Sequence, residues 1–218
     1  LPDSLQSQLQ DATELGFEGI IVYRHELGKA PQKYAAGWKD SENKVPATPD
    51  ALFKIASINK LYIAAAAAKL INDERLALDN TLAFYFPELA ARIQYADQIT
   101  LQMMLQHRSG IPNYTDTPGY WSAPPDTFDD TLTLILDLPA SFAPDQGYTY
   151  SNTNYLLLGA LIDNTLGYSH QQYIQDEILT PLNLTRTFFS LQEVNIDDVM
   201  SGYYVGYDKD LKTVEQGM

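Results

Sequence analysis

The chain opens with two kinds of hydrophobic pattern. Apolar residues close to helical spacing predict a helix over 5–15, followed by Gly16, a residue suited to ending it. Residues 17–23 are rich in β-branched and aromatic side chains and predict a strand, and 32–38 are expected to return beside it after a turn over 26–31. We therefore expect a helix followed by a β-hairpin.

The later hydrophobic segments are longer and mainly helical. Between Asn59 and Asn72 almost every residue is alanine or aliphatic, and Lys60 and Lys69 are the only charged ones. A helix that is apolar on all sides is expected to be buried at the centre of a domain. The remaining expected elements are helices over 100–107, 153–166 and 169–179, a strand over 202–207, a connection over 40–50 and a long structured loop over 115–127.

Composition and charge exclude several classes of function. The 218 residues are 45% apolar and 19% charged, which is ordinary for a globular protein, but the formal net charge is −14. Such a surface repels phosphate backbones and anionic lipids, so no nucleic acid or membrane-surface partner is expected. The longest apolar run, 61–68, is far shorter than the ~20 residues of a membrane span. The chain has no cysteine, which excludes thiolate chemistry and is compatible with an oxidising compartment.

Ser57 and Lys60 form the first pattern that points to chemistry. Ser57 immediately precedes the 59–72 helix, and Lys60 follows three residues later on the same helix face. A serine hydroxyl becomes a good nucleophile when a nearby base accepts its proton, and burial can lower the pKa of a lysine enough for that role. The pair therefore predicts a nucleophile and its proton acceptor.

The spacing alone is weak support for this hypothesis. The same spacing occurs at Ser41 and Lys44, in a polar connection flanked by proline. Ser57 and Lys60 therefore also have a purely structural interpretation, as a helix N-cap and a lysine that extends to solvent.

Tyr150, Ser151 and Asn152 form a second pattern, just before the apolar 153–166 segment. A tyrosine hydroxyl beside Ser57 would relay a proton, and an asparagine side chain would hold a substrate amide. Taken alone, Tyr150 is one of 15 tyrosines, and Asn152 also suits a helix N-cap. The two patterns together favour a catalytic site.

Both patterns resemble one known family. Residues 53–60 read Phe-Lys-Ile-Ala-Ser-Ile-Asn-Lys, and 150–159 read Tyr-Ser-Asn-Thr-Asn-Tyr-Leu-Leu-Leu-Gly. Together they resemble the class C β-lactamases, D-Ala-D-Ala carboxypeptidases and related esterases. The segment His-Arg-Ser-Gly-Ile-Pro at 107–112 is similar to that family's sequence between the two motifs, and the resemblance extends over 16–207.

The resemblance implies an α+β fold of the β-lactamase/transpeptidase type. An antiparallel sheet flanked by helices would carry an inserted helical region. Residues 1–56 would form the N-terminal helix and hairpin, and 57–190 the mostly helical region with both motifs. Residues 191–218 would begin the return to the sheet.

The implied function is that of a serine hydrolase without a cofactor or metal, in the periplasm or outside the cell. Its substrate would be a small molecule or peptide: an acyl-D-amino acid, another amide, an ester or a β-lactam. We favour a peptidase or esterase over a dedicated β-lactamase by analogy alone. The implied site residues are Ser57 as acylated nucleophile, Lys60 as its base or base partner, Tyr150 as proton relay and Asn152 as substrate contact.

The sequence departs from the family in two places. Asn59 stands where relatives commonly carry Ser or Thr, and no Lys-x-Gly or His-x-Gly triplet, the third family motif, follows Asn152. In relatives the strand with that motif supplies an oxyanion N–H, and losing one such donor costs about 10²–10³-fold in rate. With few strands predicted as well, we expect the C-terminal strands to lie in a segment absent from this chain. The alternative is a non-catalytic binding or regulatory module that lacks the motif.

The other residues that could carry chemistry do not form a pattern that predicts a specific site. The three histidines lack ligand spacing, so no metal site is expected, and His107 is expected to be structural at a helix end. No Gly-x-Ser-x-Gly elbow is present. Three aromatic residues on the long loop either line a substrate cleft or only hold the loop in place: Tyr114, Tyr120 and Trp121.

Overall fold

The computed structural model of this chain describes residues 4–205 and 212–215, as two compact units. The first, the sheet unit, combines Leu1–Ala56 with Arg186–Met218, and the second, the helical unit, is Ser57–Thr185. The divisions therefore fall at 56/57 and 185/186, whereas the sequence placed them at 56/57 and 190/191.

The sheet unit begins with a capped helix and an antiparallel sheet. The Ser4 side chain accepts a hydrogen bond from the Ser7 N–H and caps the first helix. The three strands that follow pair in the order β1-β2-β3, so the expected helix and hairpin are confirmed. The elements are α1 (Leu5–Glu14), β1 (Gly19–Arg24), β2 (Gln32–Asp40) and β3 (Val45–Pro46).

Two strands of the sheet unit were not predicted. The expected connection over 40–50 contains β3, where the Ala47 N–H donates to the Gly37 carbonyl beside the short strand. The expected strand over 202–207 is present as β4 (Gly202–Val205), and its residues 206–207 lie outside the described ones. It pairs with β5 (Lys212–Glu215) in a separate two-stranded sheet. Neither missed strand shows an alternating hydrophobic pattern, since β3 has two residues and β5 has one aliphatic residue among four.

The helical unit contains the long helices that the sequence predicted. The 59–72 and 153–166 segments form helices within one residue of their expected bounds, and Gly167 ends the second in a left-handed conformation. The loop over 115–127 contains short 3₁₀ turns. The elements are α2 (Asn59–Asn72), α3 (Leu82–Tyr85), α4 (Leu101–Leu105), α5 (Phe128–Thr133), α6 (Asn152–Leu166) and α7 (His170–Ile174), with a π-helical turn over Gln175–Leu179.

The core of the helical unit lies where α2, α6 and α7 pack together. The expectation that α2 is buried on all sides is wrong, because Leu61 is 69% exposed. Only one face of α2 contacts α6 and α7, and its buried residues lie on that face. The buried residues of the three helices include Ile63, Ala66, Ala67, Leu70, Leu157, Leu158, Leu161, Ile162, Tyr173 and Ile174.

Candidate active site

Four residues singled out from the sequence lie together in the helical unit. The Lys60 ammonium donates to Ser57 Oγ at 3.1 Å and to Asn152 Oδ1 at 2.8 Å. The Tyr150 hydroxyl lies 2.8 Å from Ser57 Oγ, where either hydroxyl can donate. Ser57 Oγ therefore lies within reach of both a lysine amine and a tyrosine phenol.

The backbone before α2 presents Ser57 to solvent. Ser57 is exposed in a 3₁₀ turn, Ala56–Ile58, and the preceding Ala56 has φ +44°, in the left-handed region. Such a conformation costs a non-glycine residue about 1–2 kcal/mol and is often found beside functional sites. The N-cap of α2 is Ile58, which makes no side-chain cap bond, so the N-cap interpretation of Ser57 is wrong.

The Asn152 side chain is oriented by neighbours that the sequence did not identify. Its backbone N–H and its Nδ2 both donate to Asn113 Oδ1, at 2.9 and 3.2 Å. Nδ2 also donates to Thr115 Oγ1 at 3.3 Å, which leaves Oδ1 facing Lys60. The N-cap of α6 is Ser151, so Asn152 is not the cap that its residue type suggested. The polar run Asn113-Tyr114-Thr115 carried no motif of its own.

The Tyr150 phenol lies in a partly buried, positively charged setting. Burial raises the pKa of the phenol, but hydrogen bonding by Lys60 and Ser57 and the Lys60 charge outweigh it and hold the pKa below its ordinary value. The Lys60 ammonium also lies 5.1 Å from the centroid of the Tyr150 ring and 5.8 Å from that of Tyr155. Lys60 is therefore held by two aromatic rings as well as by its hydrogen bonds.

The 107–112 segment ties the loop before Tyr150 to the rest of the helical unit. Arg108 forms an ion pair with Asp145, with Nε 2.5 Å from Oδ1, and the two backbones are hydrogen-bonded. The Thr149 N–H donates to the His107 carbonyl at 3.1 Å. Gly110 has φ +77°, and a Cβ there would overlap the carbonyl oxygen of Phe142.

The same segment also holds the first turn of α6. Ser109 Oγ donates to Asn154 Oδ1 at 2.7 Å, and both side chains are buried. The Pro112 carbonyl accepts from the hydroxyls of Ser151 and Thr153, at 3.2 and 2.6 Å. The positions of Tyr150 and Asn152 therefore depend on this segment as well as on α6.

His107 lies closer to the site than its expected role as a helix-end residue suggested. It follows α4 with φ +56°, and its ring lies against those of Tyr150 and Tyr155. The signal that pointed to it was its place at the start of the 107–112 segment.

The aromatic residues of the long loop form a chain of ring contacts. Tyr114 and Tyr120 have centroids 5.3 Å apart, and Tyr120 and Trp121 5.2 Å apart. Burial, followed by the neighbouring Tyr120, raises the pKa of Tyr114 to about 12. The Tyr114 N–H donates to Thr153 Oγ1, which fastens the loop to α6, whereas Trp121 is 77% exposed. That these rings line a substrate cleft stays a prediction.

The remaining candidates lie elsewhere. Ser41 and Lys44 occupy the turn between β2 and β3, where Lys44 is exposed with φ +55°, so this pair does not lie on a helix.

Within 4–205 and 212–215, no group of three or more His, Asp or Glu side chains is arranged to hold a metal ion. Over the same residues, no helix has the length and apolarity to cross a bilayer.

Known proteins are similar to this chain in sequence and in structure. The family described as Beta-lactamase matches residues 15–217. "Protein flp" of Staphylococcus aureus (strain COL) is 30% identical over 173 residues, and the putative D-alanyl-D-alanine carboxypeptidase of Escherichia coli (strain K12) is 31% identical over 178. D-amino acid amidase from Ochrobactrum anthropi SV3, crystallised with L-phenylalanine amide, superposes with a TM-score of 0.82 at 29% identity.

These matches cover most of this chain but only part of each relative. The two sequence matches each include 78% of this chain, and 34% and 41% of the respective relatives. The superposition includes 97% of this chain and 59% of the amidase. The likeness confirms the expected α+β fold of the β-lactamase/transpeptidase type, and the family match includes both the Ser57–Lys60 and the Tyr150–Asn152 patterns. This chain belongs to the β-lactamase family.

Proposed function

We propose that this chain carries the nucleophile of a serine hydrolase, with Ser57 forming an acyl-enzyme on an amide, ester or lactam. The observation that carries the proposal is the position of Ser57 Oγ, 3.1 Å from Lys60 Nζ and 2.8 Å from the Tyr150 hydroxyl. An exposed serine within reach of an amine and a phenol, each of which accepts a proton when deprotonated, matches the needs of nucleophilic catalysis. Among the relatives, a putative carboxypeptidase and an amidase carry names of hydrolases.

In the proposed reaction, Ser57 Oγ attacks the carbonyl carbon while its proton passes to Lys60 or Tyr150. The tetrahedral oxyanion then collapses, the bond to the leaving nitrogen or oxygen breaks, and the proton is returned to that atom. A water molecule attacks the remaining Ser57 ester in the same manner and releases the carboxylic acid. Either the Lys60 amine or the Tyr150 phenolate can be the immediate acceptor, since both lie within reach of Ser57.

Lys60 and Tyr150 support each other in this role. The Lys60 charge favours the Tyr150 phenolate, in line with the lowered pKa of that phenol. Asn152 Oδ1 and the two aromatic rings hold the Lys60 ammonium beside Ser57. We also propose that Asn152 contacts the amide of the substrate. Its side chain is already oriented for this contact by the hydrogen bond to Asn113.

The proposed substrates are acyl-D-amino acids, peptides or related amides, with esters as further candidates. The D-specific names of the carboxypeptidase and amidase relatives favour this class over a dedicated role against β-lactams. Because the chain spans less than two thirds of these relatives, the complete reaction is proposed for the protein together with any further segment that completes its site.

The proposal is tested by covalent labelling of the purified protein with a fluorescent fluorophosphonate and a fluorescent penicillin. We expect the fluorophosphonate to label the wild type at Ser57, as located by peptide mass spectrometry, and Ser57→Ala to abolish labelling. Ser41→Ala is the matched control, since Ser41 has the same spacing to a lysine but lies in the turn between β2 and β3, and it should label like the wild type.

Two outcomes would contradict the proposal. Labelling that survives Ser57→Ala would show that another residue is the nucleophile. A folded wild type that neither probe labels would instead favour the non-catalytic binding role.

A further inference from the structure

His107 is buried directly behind the proposed proton relay. Its ring centroid lies 4.5 Å from that of Tyr150 and 5.2 Å from that of Tyr155, at interplanar angles of 35° and 36°. Tyr148 contacts it edge-on at 6.2 Å. The buried imidazole of His107 therefore packs against the ring of the partly exposed Tyr150, so the position of one ring constrains that of the other.

Hydrogen bonds determine which imidazole nitrogen carries the proton. His107 Nδ1 accepts from the Ser151 N–H at 3.2 Å and lies 3.3 Å from Asn154 Nδ2. The Asn154 side chain is oriented by Ser109 Oγ, which donates to its Oδ1, so that Nδ2 faces the imidazole. Because the Ser151 N–H can only donate, Nδ1 is an acceptor, and we assign the ring as neutral and protonated on Nε2.

We propose that neutral His107 is a positioning residue that holds Tyr150 and Asn152 against Ser57 and Lys60, and that its protonation releases them and slows acylation. The proposal rests on the proposed function, because acylation of Ser57 is the step it affects.

Protonation of His107 would displace groups of the candidate active site. Ser151, whose N–H binds His107, is the residue between Tyr150 and Asn152. A proton on Nδ1 would oppose that N–H and the Asn154 amide, and would turn two favourable contacts into repulsions. The first turn of α6 would then have to shift, and with it the Asn152 oxygen that binds Lys60.

The burial of His107 and the charge near it also favour the neutral imidazole. The charge that acts on it is that of Lys60, on α2. Its other titratable neighbours are tyrosines: Tyr148 and Tyr150 from the loop before α6, and Tyr155 from α6. The adjacent Arg108 is paired with Asp145. Burial, followed by the Lys60 charge, holds the pKa of His107 below its ordinary value, so the neutral form is favoured near neutral pH.

Two substitutions separate the hydrogen bond from the ring. His107→Asn places an amide oxygen near the position of Nδ1 and cannot titrate, whereas His107→Phe keeps the ring but leaves the Ser151 N–H without its acceptor. His170→Asn is the control, since His170 binds Asp163 at 2.9 Å on the other end of α6.

The readout is the rate of fluorophosphonate labelling across about pH 5 to 8, the range in which histidine titrates. We expect the wild type and His170→Asn to lose rate towards acid. His107→Asn should stay within about tenfold of the wild type at the alkaline end and lack the step that histidine contributes, while His107→Phe should be about 10- to 100-fold slower throughout. An unchanged acid limb in His107→Asn would overturn the proposal.

A second measurement separates this proposal from the one on Ser57. Nitrogen-15 NMR of the wild type should show His107 as the Nε2–H tautomer at neutral pH, with the Ser151 amide shifting as His107 titrates. This NMR result is expected even if no probe labels the protein. In that case the proposed function would fail, but the coupling between His107 and Ser151 would still hold. A Ser151 amide that ignores the His107 titration would refute the coupling whatever the labelling shows.

Discussion

Tyr150→Phe is the substitution that tests the proposed chemistry with the smallest structural change. It removes one oxygen, the one 2.8 Å from Ser57 Oγ, and leaves the ring against His107. Tyr150 is 39% exposed, so loss of the hydroxyl should cost at most about 1 kcal/mol of unfolding free energy. Loss of a proton-transfer group costs about 10²–10⁴-fold in rate. That range corresponds to about 3–5 kcal/mol of activation free energy, several times the effect on stability.

The assay measures both quantities on the same samples. Labelling of Ser57 by a fluorophosphonate is followed over time, and the free energy of unfolding is obtained from urea titration. Tyr148→Phe is the matched control: Tyr148 also contacts the His107 ring but is 66% exposed, and we expect its labelling rate to change less than about twofold. If Tyr150→Phe labels within about twofold of the wild type, the reasoning on proton transfer is refuted.

Three further predictions concern the site and its support. Lys60→Ala should slow labelling by about 10²–10⁴-fold while the circular dichroism spectrum stays unchanged; an unfolded variant would mean that the lysine is structural. Gly110→Ala should destabilise the protein by about 2 kcal/mol or more in urea, because φ is +77° and the new Cβ would overlap the Phe142 carbonyl; a loss under about 0.5 kcal/mol would contradict this packing. Because the folded pKa of His107 is lowered, the unfolded chain binds its proton more readily, so stability should fall as pH drops below about 6.5 towards the folded value. His107 contributes at most about 1.4 kcal/mol per pH unit to the slope of unfolding free energy against pH in that window, and His107→Asn should lose this contribution. Equal slopes for the wild type and His107→Asn in urea titrations would refute the prediction.

Sequence reasoning found the long elements and some short ones, such as β4, and missed other short ones. The α2 and α6 helices each have a long apolar stretch, and their predicted bounds agree with the structure within one residue. The strands β3 and β5 and the helices α3 and α5 have between two and six residues, too few for a periodic pattern. Their conformations depend on partners elsewhere in the chain, as when β3 pairs with β2.

The site divides in the same way. Lys60 reaches Ser57 through three residues of local geometry, which the sequence alone determines once α2 is recognised. Tyr150 and Asn152 lie more than ninety residues further on, at the N-terminal end of α6. Their approach to Ser57 requires α2 and α6 to pack side by side, which the sequence indicated only through resemblance to a family.

Spacing could not distinguish Ser57 from Ser41, because both precede a lysine by three residues. The tertiary structure placed one pair at the start of a packed helix and the other in the turn between β2 and β3. It also decided that Asn152 binds Lys60 rather than capping α6, and that His107 accepts the Ser151 N–H. Sequence by itself determined which residues are near along a helix, since that depends on backbone geometry alone. Which polar groups become partners was decided only by packing, because burial forces each group to bond with whatever the fold brings within about 3 Å.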